Sequence, residues 1–339
     1  MGRTFVHRVL TGELGTPKKV IVLSRDEAKQ HEMRMSYLHK LVATDEVIYR
    51  NFMNVLEFRI GDVRNYADVC SAVKHADIVV NAAALKQVPA CEYFPTQAVL
   101  TNCMGATNLV RAIEENGYPV ETVIGISTDK ACKPVNVMGM TKSIQERIFI
   151  SANILNPHTR FICVRYGNVL ASRGSVIPLF HDQIRKGGPV TITVPEMTRF
   201  LLSLNQAVDT VFTAIREARR GETYVPYAPA ATVLNIAKAL IGEHKIEIKI
   251  TGIRPGEKMH EIMVSEEEAN HCVKRGTYYA ILPMLPELRE GGASEPNALK
   301  KEFSSADTVL DFTGTVDLLQ CHRLLGEDAK LSEDMELLR

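Results

Sequence analysis

The run Ser127-Thr128-Asp129-Lys130, followed by Met138-Gly-Met-Thr-Lys142, holds residue types able to move protons on a bound small molecule. A carboxyl beside an amine can give one proton and take another where burial and neighbours shift their pKa values. Glu121 to Ser127 reads as a buried strand, so Thr128, Asp129 and Lys130 are expected at its C-terminal end, where open α/β sheets gather their ligands. Lys142 falls one helical turn after Met138, so both are expected to face that cleft. The plainer reading of Asp129 and Lys130 is a surface ion pair, which contributes little.

Such residues need a scaffold, and the first half of the chain supplies one. Short β-branched runs at residues 19–23, 55–60, 77–80, 122–126 and 161–164 alternate with amphipathic stretches near 26–40, 66–75, 95–116 and 137–155. This alternation predicts a doubly wound parallel α/β sheet. From Tyr166 the pattern loosens into helices near 176–187, 205–219 and 231–242 and strands at 190–194 and 246–250, as a smaller C-terminal substrate-binding lobe would. The expected organisation is a dinucleotide-binding domain over 1–165, a sugar-nucleotide lobe over 166–282 with some chain crossing back to the sheet, and a partly ordered tail over 283–339. The segment 36–54 is a long connection.

Composition narrows the ligand. Lysine plus arginine number 40, as do aspartate plus glutamate, so no global field draws nucleic acid or anionic lipid. No cationic leader and no apolar run of membrane-spanning length is evident, and a cytoplasmic location is expected. The seven cysteines are scattered without C-x-x-C pairs and read as reduced thiols. The ten histidines show no metal-ligand spacing, so no metal is expected.

Other motifs fit a cofactor and a diphosphate. Asn81-Ala82-Ala83-Ala84 follows a strand with residues small enough for close backbone approach. Ser24-Arg25-Asp26 ends the strand at 19–23, where this sheet type reads the adenosine ribose; an arginine there suits a 2′-phosphate and favours NADP over NAD. Gly61-Asp62-Val63 ends the next strand, near an adenine. Arg165-Tyr166-Gly167-Asn168, Arg199 and Arg254-Pro-Gly-Glu257-Lys258 supply guanidiniums suited to pyrophosphate.

In this order the motifs become recognisable. The blocks S-R-D-E, G-D-V-R, A-A-A-L-K-Q-V-P, S-T-D-K-A, M-G-M-T-K, R-Y-G-N-V, S-R-G-S-V-I-P-L-F, M-T-R-F and R-P-G-E-K run from Ser24 to Lys258, within a match that extends from about Gly2 to Tyr279. The chain resembles the extended short-chain dehydrogenase/reductases, specifically the UDP-N-acetylglucosamine 4,6-dehydratases of capsule and flagellin-sugar type. The resemblance implies a Rossmann-like sheet, a cytoplasmic homo-oligomer, NADP and a UDP-sugar substrate. It implies cofactor contacts from Gly2, Ser24, Arg25, Asp62, Val63, Ala82, Ala83, Ala84, Asn102, Lys142, Tyr166 and Gly167. Lys86, Asn168, Ser175, Val176, Arg199, Arg254 and Glu257 are implied at the substrate, the helix opening at Ser175 offering amides to a phosphate.

Two features depart from the pattern. Methionine, a variant seen in this family, holds the tyrosine position at Met138 and cannot serve as a base. Asp129, or a water held by Lys142 and Thr128, would take the C4 hydroxyl proton. The chain also opens at Gly2, where the family's G-x-x-G-x-x-G turn ends, so the central strand is expected to be missing and NADP weakly retained. In the implied reaction Lys130, its pKa depressed by burial and neighbouring cations, removes the C5 proton, and Asp129 protonates the departing C6 hydroxyl. A UDP-hexose 4-epimerase and a non-catalytic sugar-nucleotide-binding relic are the competing expectations.

Overall fold

The computed structural model describes residues 1–38, 52–172, 175–289 and 295–325. Most of the long connection at 36–54, Arg173 and Gly174 of the S-R-G-S block, and the end of the tail lie outside these residues.

The first half folds as its hydrophobic periods predict. Helix α1 (Gly2–Leu10), β1 (Val20–Ser24), α2 (Glu27–Leu38), β2 (Leu56–Ile60), α3 (Tyr66–Val73) and β3 (Ile78–Asn81) come first. Next are α4 (Val88–Tyr93), α5 (Pro95–Ala98), a π-helical segment (Val99–Met104), α6 (Gly105–Asn116), β4 (Thr122–Thr128), α7 (Val137–Leu155) and β5 (Arg160–Tyr166). Strands β3, β4 and β5 pair in parallel. Side chains alternate between the two faces of a strand. Val123, Phe161 and Cys163 accordingly pack with α3, α6 and α7 on one face. Ile124, Ile162 and Val164 pack with residues of the later helix α9 (Leu204–Glu217) on the other. Helices on both faces make the sheet Rossmann-like.

The second half contributes α8 (Val176–Arg185), β6 (Val190–Ile192), β7 (Thr198–Phe200), β8 (Thr223–Pro226), β9 (Ala230–Thr232), α10 (Val233–Ile241) and β10 (Ile248–Ile250). Strand β11 (Ile262–Val264), α11 (Glu266–Ala269), β12 (Cys272–Arg275) and β13 (Tyr278–Ile281) follow. Strands β8, β13 and β12 extend the main sheet, whose order is β12-β13-β8-β5-β4-β3. Residues of α8, β6, α10 and the tail form a second apolar cluster around Phe180, Ile236 and Leu319.

Strands β1 and β2 form a separate two-stranded parallel sheet, and β3 is the edge of the six-stranded one. This break falls where the central strand was expected to be missing. α1 bridges it: Phe5 meets Phe212 edge-on, with centroids 5.4 Å apart, while Val6 and Leu10 pack with Met33 and Tyr37.

The tail departs from expectation. Residues 283–339 read as loop with a weakly ordered end, yet Phe303–Ser304 forms β14, antiparallel to β11. Phe312–Cys321 forms α12, capped by the Asp311 carboxylate, which accepts from Gly314 N at 2.7 Å. Leu319 is fully buried in the second cluster. Tertiary packing stabilises what weak periodicity concealed.

Candidate active site

Parallel pairing of β4 with β5 sets Thr128 opposite Tyr166, so the turn at Asp129–Lys130 lies beside Gly167–Asn168 at the C-terminal edge of the sheet. Asp129 to Ala131 forms one turn of 3₁₀-helix, with Thr128 as its N-cap. Helix α7 then seats directly on this turn. Asn136 caps it by accepting from Gly139 N at 2.8 Å and donates to Gly256 O at 2.9 Å. A β-carbon at Gly139 would lie 2.2 Å from the Lys130 carbonyl oxygen, so only glycine permits this approach. Gly167 has the same role against Phe200, whose Cβ would be 2.6 Å away.

Asp129 is fully buried, and its Oδ1 accepts from Thr128 Oγ1 at 2.8 Å and from Lys130 Nζ at 3.1 Å. Lys130 Nζ also reaches Asn168 Oδ1 at 3.2 Å and Glu261 Oε1 at 3.1 Å, leaving 22% of its side chain open. Glu261 precedes β11 and does not figure among the residues expected from sequence. Its backbone is held by Ser305 through Glu261 N to Ser305 Oγ at 2.9 Å and Ser305 N to Glu261 O at 2.8 Å. Arg199 Nε stands 3.8 Å from Glu261 Oε1. Asp129 Oδ2 and Glu261 Oε2 are buried without a hydrogen-bond partner.

These contacts set the charges. Burial raises the Asp129 pKa, an effect Lys130 opposes and Glu261 reinforces. Burial alone would lower Lys130, but Asp129 and Glu261 outweigh it and hold the amine above its ordinary value. Burial would raise Glu261, and Lys130 and Arg199 reverse that. The expectation that Lys130 is depressed by neighbouring cations is therefore corrected: its nearest charged partners are carboxylates, which favour the ammonium.

Met138 and Lys142 do not meet a common cleft. Met138 packs with Cys91 and Ala98, where its apolar thioether loses water. Lys142 Nζ donates to Ile126 O and to Gln145 Oε1, the latter at 2.7 Å, and burial draws its pKa down to about 8.

The residues expected at the substrate fall into two groups. Asn168, Ser175, Val176 and Arg199 line one pocket with Leu170, and Ser175 Oγ is buried there without a partner. Arg254 is exposed, its backbone amide accepted by Glu257 Oε2 at 3.4 Å, while Lys86 is exposed in the loop after β3. Among the residues expected at a cofactor, Ser24 ends β1, and Arg25 reaches Asp62 Oδ2 at 3.4 Å. Asn108 donates to Val63 O at 3.0 Å. Ala82 and Ala84 are exposed and Ala83 half-buried. Gly2 opens α1, and Tyr166 is buried with its hydroxyl 2.7 Å from Met1 Sδ. Asn102 is fully buried with its amide committed to protein: Oδ1 accepts from Leu85 N at 2.8 Å, and Nδ2 donates to Leu85 O and Thr141 Oγ1. It fixes the loop after β3 and has no free donor for a ligand.

Residues 1–283 match the family model described as polysaccharide biosynthesis protein. The chain belongs to that family. Among curated members it is 44% identical over 268 residues to a protein of Rickettsia typhi named UDP-glucose 4-epimerase, covering 78% of this chain and 74% of the relative. A Rickettsia conorii protein of the same name is 43% identical over 285 residues, covering 83% and 79%. Among solved structures, Pen from Bacillus thuringiensis superimposes with a TM-score of 0.82 at 32% identity, covering 96% of this chain and 94% of Pen. DesIV, the dTDP-glucose 4,6-dehydratase of Streptomyces venezuelae solved with NAD and TYD, superimposes with a TM-score of 0.64 at 17% identity, covering 97% and 96%. That likeness establishes the fold. Among the described residues no helix is long and apolar enough to cross a membrane, and no group of three His, Cys, Asp or Glu side chains could hold a metal ion.

In this family member the sequence motifs give out at Lys258. Glu261 lies three residues on, in R-P-G-E-K-M-H-E, and a carboxyl that close to a basic block at a strand start is the one signal the sequence offers for it.

Proposed function

We propose that this protein is a nucleotide-sugar 4,6-dehydratase acting on UDP-N-acetylglucosamine in surface-polysaccharide assembly. The observation that carries this reading is the fully buried Asp129 paired with the partly open Lys130, bridged by Asn168 to the pocket it shares with Ser175, Val176 and Arg199. Loss of water across C5 and C6 requires a proton taken from C5 and another given to the departing hydroxyl. Epimerisation at C4 requires neither.

The proton balance assigns roles. Asp129, made more basic by burial and reached through Thr128 Oγ1, takes the C4 hydroxyl proton and delivers it to the C6 hydroxyl, which leaves as water. Lys130 as free amine takes the C5 proton and, because its N–H hydrogens exchange with solvent, delivers a solvent-derived proton to C5 afterwards. Lys142, turned onto Ile126 O, stands away from this path. A nicotinamide dinucleotide would supply the hydride acceptor for C4 and the donor for C6. The residues fit such a group: Ala82 and Ala84 offer an exposed platform without bulky side chains, and the half-exposed Arg25 beside Asp62 and Val63 offers a cation to a 2′-phosphate. NADP is preferred to NAD on that arginine. Arg199, Asn168 and the N-terminus of α8 at Ser175 and Val176 would hold the diphosphate, with Arg254, Glu257 and Lys86 at its margin.

A homo-oligomer accompanies this reading: Met140 and Ile144 on α7 and Leu100 and Met104 on the adjoining helical segment are exposed apolar side chains. All seven cysteines are free thiols, in keeping with a cytoplasmic enzyme.

The second reading, a UDP-hexose 4-epimerase, is favoured by the names of the Rickettsia relatives. Incubation with UDP-N-acetylglucosamine and NADP in heavy water separates the two. A dehydratase gives a product lighter by one water with deuterium at C5, and Lys130→Ala abolishes that exchange. An isobaric product without C5 deuterium would establish the epimerase.

A further inference from the structure

Resting on the dehydratase reading, the geometry around Lys130 assigns a role to a residue outside the expected site. We propose that Glu261 is a positioning residue that stores one proton of Lys130 during turnover, converting the resting ammonium into the amine that attacks C5.

The need for such a partner follows from the contacts. Lys130 Nζ lies 3.1 Å from Asp129 Oδ1 and 3.1 Å from Glu261 Oε1, so it rests as an ammonium and has no lone pair for a C–H proton. Asp129 cannot relieve it, because its acceptor capacity is needed for the C4 hydroxyl proton. Glu261 can. Its second oxygen is buried without a partner, and its backbone is pinned on both sides by Ser305, so the carboxyl stays within reach of Nζ. The groups facing this pair are Asp129 on the same turn, Asn168 after β5, Arg199 on β7 and Lys258 before β11. Arg199 and Lys258 favour the ionised Glu261 at rest, while burial disfavours both charged forms.

Substrate covering the pocket would remove the remaining exposure of Lys130, and loss of solvent favours the neutral acid–amine pair over the ion pair. One N–H bond on Lys130 then breaks as an O–H bond forms on Glu261. The amine takes the C5 proton, the C5–H electrons become the C5–C6 double bond, and the C6–O bond breaks as Asp129 protonates the oxygen. On hydride return to C6, Lys130 gives C5 one of its solvent-exchanged protons and recovers the stored one from Glu261. Every group ends as it began, and the released water carries the C4 hydroxyl proton.

The test is the pH dependence of C5 exchange in Glu261→Gln, whose amide keeps the shape but cannot accept the proton. In the wild type transfer is internal, so exchange is expected to be flat across neutral pH. In E261Q Lys130 must lose its proton to bulk solvent, so exchange is expected to fall at neutral pH and recover about tenfold per pH unit on the alkaline side. Glu261→Asp, which retains a carboxyl, should keep the flat profile at a lower rate. A uniform drop in E261Q at every pH would reduce Glu261 to a structural part and overturn the proposal, as would an unchanged rate.

A second readout does not depend on the reaction. Acylation of Lys130 by acetic anhydride, mapped by mass spectrometry against pH, should show a lower midpoint in E261Q, because one of the two carboxylates stabilising the ammonium is gone. No shift would overturn the pairing itself. Wild-type protein that releases no water defeats the dehydratase reading, whereas wild-type protein that releases water alongside E261Q lacking alkaline recovery defeats only the role of Glu261.

Discussion

Two single side chains carry separable predictions. Arg25 stands half-exposed at the end of β1, 3.4 Å from Asp62, and can turn to a 2′-phosphate. Charge-assisted hydrogen bonds contribute roughly 1.5–3 kcal/mol. Arg25→Ala should therefore raise the KM for NADP roughly 10- to 100-fold while leaving NAD nearly unaffected, which steady-state kinetics with both cofactors would reveal. Lys142 is the reverse case, an amine whose burial draws its pKa from 10.5 to about 8. Between those values the unfolded chain holds a proton that the folded chain lacks, so stability rises with pH across that window and the penalty is full below it. At 1.36 kcal/mol per unit this amounts to about 3 kcal/mol. Denaturant titrations should show the wild type gaining about that much on Lys142→Met between pH 8 and 10.5.

At the scale of elements, the decisive contact is the seating of α7 on the Asp129–Lys130 turn. The turn is set by β4, and α7 reaches it because Gly139 has no side chain: the Lys130 carbonyl oxygen stands 2.2 Å from where a β-carbon would lie. Gly139→Ala must push helix and turn apart. Overpacking of this kind typically costs about 1–3 kcal/mol, and a displacement of about 1 Å at reacting groups can cost about 10²-fold in rate. Circular dichroism melts should show the modest stability loss, and turnover the larger one. An alanine variant with wild-type turnover would show that the turn need not be held this closely.

For the molecule as a whole, a buried ionic clamp joins its parts. Arg165 on β5 binds Glu146 of α7 at 2.6 and 3.1 Å, Glu268 of α11 at 2.8 and 2.9 Å, and Met263 O at 2.7 Å. Ser127, two residues before Asp129, donates to Glu146. The clamp thus ties the sheet, α7 and the later lobe at one guanidinium. Burial would raise the Glu268 pKa, but Arg165 lowers it from 4.5 to about 2, so the stabilisation is present above pH 4.5 and lost as pH falls through about 2. Arg165→Met leaves two buried carboxylates unpaired and should cost about 3–5 kcal/mol at pH 7. The deficit should shrink on acidification, since the stranded Glu268 carboxyl can then take a proton, and urea midpoints from pH 7 to 3 would follow it.

The first five strands, the helices between them, and the placement of Asp129 and Lys130 at the sheet's rim were legible in the order of the residues. Hydrophobic period and strand direction are local properties, and a parallel sheet places its strand ends together. The tail was not legible, because β14 and α12 are stabilised by partners distant in sequence, β11 and α10. The charge on Lys130, the inward turns of Met138 and Lys142, and the closure of Asn102 onto Leu85 emerged with the packed fold alone. The contact between Lys130 and Glu261 joins the chain's second and fourth quarters, which no local pattern relates. Periodicity cannot encode such a meeting; it follows from β11 and the turn after β4 converging at the sheet's edge, where burial makes the ionisation of each group depend on the other.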